Sequence, residues 1–83
     1  MSTEEELLVV LRAISIAEEC GQPLDNGTLA ANLQWDLERV AAVLGAAKQR
    51  SLIWGARGGH KPGPWFADLE VTVQGKRLLR GSD

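Results

Sequence analysis

The feature that most constrains the fold is a pair of short helical patterns with only three residues between them. The first pattern follows Asp25, a typical helix N-cap residue. The second follows Asp36, another N-cap candidate, directly after the turn 34–36. Their apolar residues recur at helical spacing: Leu29, Ala30 and Leu33, then Val40, Val43, Leu44 and Ala47. The sequence therefore predicts two short helices joined by a tight turn, over about residues 26–50.

A longer helix is predicted ahead of this pair. Ser2 and Glu5 form an S-x-x-E capping box, so we expect the helix to start at Thr3, and Gly21 and Pro23 stop it. One apolar face carries Leu7, Val10, Leu11, Ile14 and Ala17. A narrower second stripe carries Val9, Ala13, Ile16 and Cys20. Either the terminal helix of the same chain covers this stripe, or the stripe forms a dimer or partner surface. We expect Cys20 to be a small buried hydrophobic residue rather than a redox sensor.

Two strands and a last helix are predicted after residue 50. Residues 51–57 and 65–71 alternate in polarity, and the glycine- and proline-rich stretch 58–64 joins them as a projecting loop. Trp54 and Trp65 are expected to form a cross-strand pair, or else to make an exposed patch with Phe66. Thr72 can cap the final helix, over about residues 72–80. The predicted fold is a single α+β domain over residues 1–83, in the order helix, helix, helix, strand, strand, helix.

The chain resembles the winged helix-turn-helix superfamily, and within it the MarR-like bacterial transcriptional regulators. The core pattern of that family, L-A-x-x-L-x-V-S-x-x-x-V-x-x-x-L-x-x-L-x-x-x-G-L-I, aligns without a gap on residues 29–53, LAANLQWDLERVAAVLGAAKQRSLI. Its later L-T-x-x-G-R resembles residues 71–76, VTVQGK. The resemblance covers about residues 5–80 and implies a helix-turn-helix at about 26–50 and a β-hairpin wing at about 51–71. Residues 1–83 hold no counterpart of the outer helices through which the family dimerises.

The resemblance implies binding to double-stranded DNA, as a regulator or an accessory factor, and we expect a homodimer on a two-fold site. In such proteins the second helix of the motif enters the major groove, and the wing touches phosphates or the minor groove. The corresponding residues in the helix are Leu37, Glu38, Arg39, Ala42 and Lys48, and those in the wing are Arg57, His60 and Lys61. Trp35 lies at a turn position that is normally a buried aliphatic residue, so we expect it in the core.

A protein-interaction module is the alternative hypothesis. The pI is about 5.3, and the second helix of the motif begins with Asp36 and carries Glu38, both unfavourable for phosphate binding. Residues 1–35 hold six acids and one base, whereas residues 36–83 hold eight bases and five acids. On this hypothesis a protein docks on the small-residue face of the third helix, or on Trp54, Trp65 and Phe66.

Other classes of function find no support in the sequence. One cysteine and one histidine are too few for a disulfide framework or a structural zinc site, so no metal or cofactor is expected. No catalytic constellation or phosphate-binding loop is present, so an enzyme is not expected. The longest apolar run, residues 7–11, is far shorter than the roughly 20 residues of a spanning helix. Together with the acidic N-terminus, this leads us to expect a cytoplasmic protein without membrane association.

Overall fold

The computed structural model describes residues 3–59 and 65–81 and is an α+β fold with four helices and a two-stranded antiparallel sheet. The predicted class and order of elements are confirmed, and the order is compatible with a winged-helix layout. The elements are α1 Thr3–Glu19, α2 Asn26–Leu33, α3 Leu37–Gln49, β1 Ile53–Gly59, β2 Trp65–Val71 and α4 Val73–Gly81.

Local hydrogen bonds explain where α2 and α4 begin, whereas Ser2, the predicted capping residue of α1, lies outside the described residues. The carboxylate Oδ1 of Asp25 accepts a bond of 2.7 Å from the backbone N–H of Thr28, so the predicted cap of α2 is confirmed. Thr72 caps α4, because its hydroxyl accepts from the N–H of Gly75 at 3.1 Å. Asp36 occupies the predicted N-cap position of α3, although its side chain makes no capping hydrogen bond.

The core lies between α1, the α2–α3 pair and the inner face of the hairpin. It is built from the predicted apolar faces of α1 and α3. The largest fully buried apolar side chains are Leu7, Val10, Leu11, Ile14, Leu29, Val40, Leu44 and Ile53. Trp35 is only half-buried and packs against the edge of this core, so its predicted core position is confirmed in part.

A β-bulge interrupts the pairing of β1 and β2. Trp54 pairs with Glu70 and Ala56 with Ala67, so two residues of β2 oppose the single Gly55. One of the two, Asp68, has a left-handed backbone with φ 53°. A Cβ on Gly55 would lie 3.0 Å from the side chains of Leu69 and Phe66, which explains why glycine stands there.

The bulge changes which residues of β2 face the core. Strict alternation placed Phe66 on the face opposite to Leu69 and Val71. The structure buries all three, because the extra residue at Asp68 turns the residues before it to the opposite face of the strand. The predicted alternation is therefore wrong for the part of β2 that precedes Asp68.

The outer edge of β2 is tied to α1 and to the segment before α2. The N–H of Leu69 donates to the carbonyl of Leu24 at 3.0 Å. The N–H of Phe66 donates to Oδ1 of the fully buried Asn26 at 2.8 Å, and that of Val71 donates to Oε1 of Glu18 at 2.6 Å. These bonds hold the hairpin at a fixed place beside the helices.

The second apolar stripe of α1 is covered only in part. Helix α4 packs beside α1, and Val9 and Ala13 are half-buried. Ile16 nevertheless remains 62% exposed. Cys20 is also exposed, so the expectation that it is buried is wrong. None of the helices in the described ranges is long and apolar enough to span a bilayer.

Candidate functional site

An open groove of about 630 Å³ runs between α3 and the inner side of the hairpin. Its walls are mostly alanine and glycine, with two longer polar side chains from the last turns of α3. The lining residues are Ala41, Ala42, Gly45, Ala46, Lys48, Gln49, Gly55 and Phe66. We call this surface the α3 groove. Its small side chains allow the backbone of a ligand to approach α3 closely.

The outward side of α3 borders this groove. Glu38, Ala42 and Gln49 are exposed and recur at helical spacing, and Gly45 between them is half-buried. Leu37, at the start of the helix, is 40% exposed, and Lys48 is exposed near its end. The structure therefore presents the predicted helix residues Leu37, Glu38, Ala42 and Lys48 to solvent.

Arg39, the fifth predicted helix residue, is engaged within the chain. Its Nε lies 2.6 Å from Oε2 of Glu6 on α1, and its guanidinium lies 3.9 Å from the centre of the Trp35 ring. These contacts hold the side chain beside α1. The guanidinium must therefore exchange partners before it can bind another anion.

A second arginine makes a similar contact at the other end of α3. Arg50, the C-cap residue, places its guanidinium 2.9 Å from Oε1 of Glu4. Arg39 and Arg50 are about three helical turns apart and so lie on nearly the same side of α3. The Arg50–Glu4 pair is exposed on both sides, whereas in the Arg39–Glu6 pair the arginine is exposed and the glutamate is 19% exposed. Ion pairs in contact with water contribute only about 0–1 kcal/mol to stability.

The charges around α3 are mixed. The first turn of α1 and the start of α3 carry five carboxylates: Glu4, Glu5, Glu6, Asp36 and Glu38. Helix α3 with its C-cap carries three cations: Arg39, Lys48 and Arg50. Among the described residues, Lys48 is therefore the cation at the α3 groove, while both arginines face carboxylates of α1.

The outer side of the hairpin differs from the predicted aromatic arrangement. Trp54 is 59% exposed and faces solvent opposite Glu70, not opposite Trp65. Trp65 is half-buried against Gly27 of α2, and Phe66 is in the core. The predicted Trp54–Trp65 pair is therefore wrong, and so is the patch of three exposed aromatic residues. Trp54 instead shares a shallow surface with Val73, which is 65% exposed.

The predicted wing contacts fall largely outside the described side chains. The backbone of Arg57 pairs with Phe66 within the sheet, which places residue 57 on the hairpin as expected. Its side chain, and the residues His60 and Lys61, lie outside what the structure describes. Their roles in binding stay predictions.

Sequence reasoning missed the partners of Arg39 and Arg50. The available signal was the opposite charge of the α1 first turn, but only the packing of α1 against α3 brings these groups together. Within the described ranges no group of three or more metal-ligating side chains forms, and no buried side-chain polar atom lacks a hydrogen-bond partner. In comparisons with known proteins, the chain showed no significant match to a protein family, a curated protein or a solved structure.

Proposed function

We propose that this chain is a winged-helix protein that binds double-stranded DNA in the cytoplasm, as a regulator or an accessory factor. In this proposal α3 lies in the major groove and the β1–β2 hairpin is the wing. The observation that carries the proposal is the uncovered outward face of α3 beside the hairpin. Ala42 presents only a methyl group there and Gly45 only its backbone, so this face has no bulky side chain at these positions to keep DNA at a distance.

Each element has a distinct role in this arrangement. Glu38 and Ala42 lie near the start of α3, the part of such helices that contacts base edges. A glutamate there can accept a hydrogen bond from the N4 amino group of cytosine. Lys48, at the other end of the groove, is placed for a phosphate. The hairpin carries Arg57, and its loop sequence adds Lys61, so the wing contributes further positive charge.

Salt-dependent binding to DNA tests the proposal. Fluorescence anisotropy of a labelled random-sequence duplex should show micromolar binding at about 50 mM salt that weakens steeply by about 200 mM, because bound phosphates release counterions. Lys48→Ala should weaken binding and flatten the salt slope by about one unit. Lys76→Ala on α4, which removes the same charge away from α3, is the matched control.

A steric variant tests the placement of α3. Ala42→Glu adds bulk and negative charge to an exposed position, so we expect it to leave the fold intact and to weaken binding at least about tenfold. Val73→Glu adds the same charge at an exposed residue next to Trp54, outside the α3 groove. Equal losses from both variants, or no DNA binding at tens of micromolar protein in low salt, would contradict the proposal.

A protein-binding winged helix is the second candidate, and the exposure of Trp54 favours it. A large aromatic side chain that is 59% exposed beside another exposed apolar residue, Val73, is typical of interaction surfaces. If this candidate is correct, Trp54→Ala should abolish capture of a partner that the wild-type chain retains. The Ala42→Glu variant should still capture it.

A further inference from the structure

We infer that the acidic first turn of α1 acts as an intramolecular competitor of DNA phosphate for Arg39 and Arg50. The inference rests on the proposed function and adds a means by which the fold limits its own DNA affinity. Two contacts carry it. Oε2 of Glu6 lies 2.6 Å from Nε of Arg39, and Oε1 of Glu4 lies 2.9 Å from the Arg50 guanidinium.

The geometry of the two contacts indicates that the two ion pairs act together. Arg39 and Arg50 lie on nearly one side of α3, about three turns apart, and both carboxylates come from one turn of α1. The carboxylates therefore occupy both arginines that α3 and its C-cap supply. A carboxylate and a phosphate offer a guanidinium the same paired oxygen acceptors, so each can replace the other.

The exposure of the pairs makes the exchange feasible. The side chain of Arg39 is 40% exposed and that of Arg50 is 47% exposed, so both keep contact with water beside their carboxylates. Exposed pairs of this kind are weak and are screened by salt. A dense array of phosphates can thus displace the carboxylates without unfolding α1, whereas isolated anions in solution compete poorly with tethered ones.

The two ion pairs also account for the low positive charge around α3. While both ion pairs are formed, the two arginines add little to the electrostatic field that attracts DNA, and Lys48 remains as the cation at the α3 groove among the described residues. When both ion pairs are broken, two further cations beside α3 can reach phosphates. DNA affinity is then set by the balance between the two states.

The test removes the competing charges and keeps the shape of the side chains. In the anisotropy assay at about 50 mM salt, Glu4→Gln/Glu6→Gln should bind random-sequence duplex about five- to tenfold more tightly than wild type, with a salt slope steeper by one to two units. Glu19→Gln/Glu70→Gln makes the same change in net charge away from α3 and should change affinity less than about twofold. Glu4→Gln alone, at an exposed position of α1, should give about a two- to threefold gain if the double variant is less stable.

A mutant cycle separates competition for arginine from general repulsion. If Glu6 acts by holding Arg39, the gain from Glu6→Gln should fall below about 1.5-fold in an Arg39→Ala background. An equal gain in both backgrounds would overturn the inference. The inference would also be overturned if wild type binds DNA and the Glu4/Glu6 variant binds no more tightly than its Glu19/Glu70 control. That outcome would leave the proposed function intact. Absence of DNA binding by every variant would overturn both.

Discussion

Gly75 is the point at which α4 meets Leu52, the residue just before β1, and Gly75→Ala should destabilise the fold. An added Cβ would overlap the carbonyl oxygen of Leu52 and would lie 2.6 Å from Cγ1 of Val71. The same carbonyl accepts the N–H of Thr72 at 3.0 Å. Because the obstructing oxygen belongs to the backbone, it cannot move away without disturbing this hydrogen bond.

We expect Gly75→Ala to lower the free energy of unfolding by about 2 kcal/mol. Overpacking of this kind costs about 1–3 kcal/mol, and a weakened hydrogen bond costs about 1 kcal/mol more. The better helix propensity of alanine returns about 1 kcal/mol. For a domain of this size, a net loss of about 2 kcal/mol lowers Tm by roughly 10 °C.

Gly27→Ala in α2 is the matched control, because the atoms nearest to its new Cβ are at 3.5 Å, an ordinary contact distance. Only the higher helix propensity of alanine then changes the stability, and we expect the free energy of unfolding to rise by about 0.5 kcal/mol. Urea unfolding followed by circular dichroism measures both changes. A Gly75→Ala variant as stable as wild type would refute the packing of α4 against Leu52 that the structure shows.

Three further predictions concern the fold. Asp25→Ala should cost about 1 kcal/mol because it removes a capping hydrogen bond, whereas Asp36→Ala, which removes none, should cost less than about 0.5 kcal/mol in the same urea titration. Asn26→Ala should cost about 2–3 kcal/mol, since it leaves the buried N–H of Phe66 without its acceptor; a loss below about 1 kcal/mol would contradict this role. Cys20 should react with a thiol reagent at nearly the same rate in the folded protein as in urea, and strong protection in the folded state would contradict its exposure.

The helices could be predicted from the sequence because their signals are local. The start of α1 at Thr3, the cap at Asp25 and the three-residue turn before α3 all depend on neighbouring residues, and the structure places them as expected. The end of α2 follows the same logic, with Gln34 in the left-handed conformation that closes many helices.

The features that the sequence did not predict depend on contacts distant in the chain. The bulge at Asp68 is determined by how β2 fits between β1 and the Leu24 carbonyl, and it decides that Phe66 is buried. In the candidate site, the outward positions on α3 could be predicted from helical periodicity. The engagement of Arg39 by Glu6 could not, because these residues are 33 positions apart and meet only when α1 crosses α3.

The most direct test of the account is a map of the surface that DNA contacts. In ¹⁵N–¹H NMR spectra recorded while a short duplex is added, we expect the largest shifts at the amides of α3 around Ala42 and Gly45 and in the hairpin, and these shifts should diminish between about 50 and 200 mM salt. The indole signal of Trp54, on the other side of the sheet, should stay in place. Shifts confined to Trp54 and Val73, or none at all in excess DNA, would contradict the proposal that α3 is the DNA-binding helix.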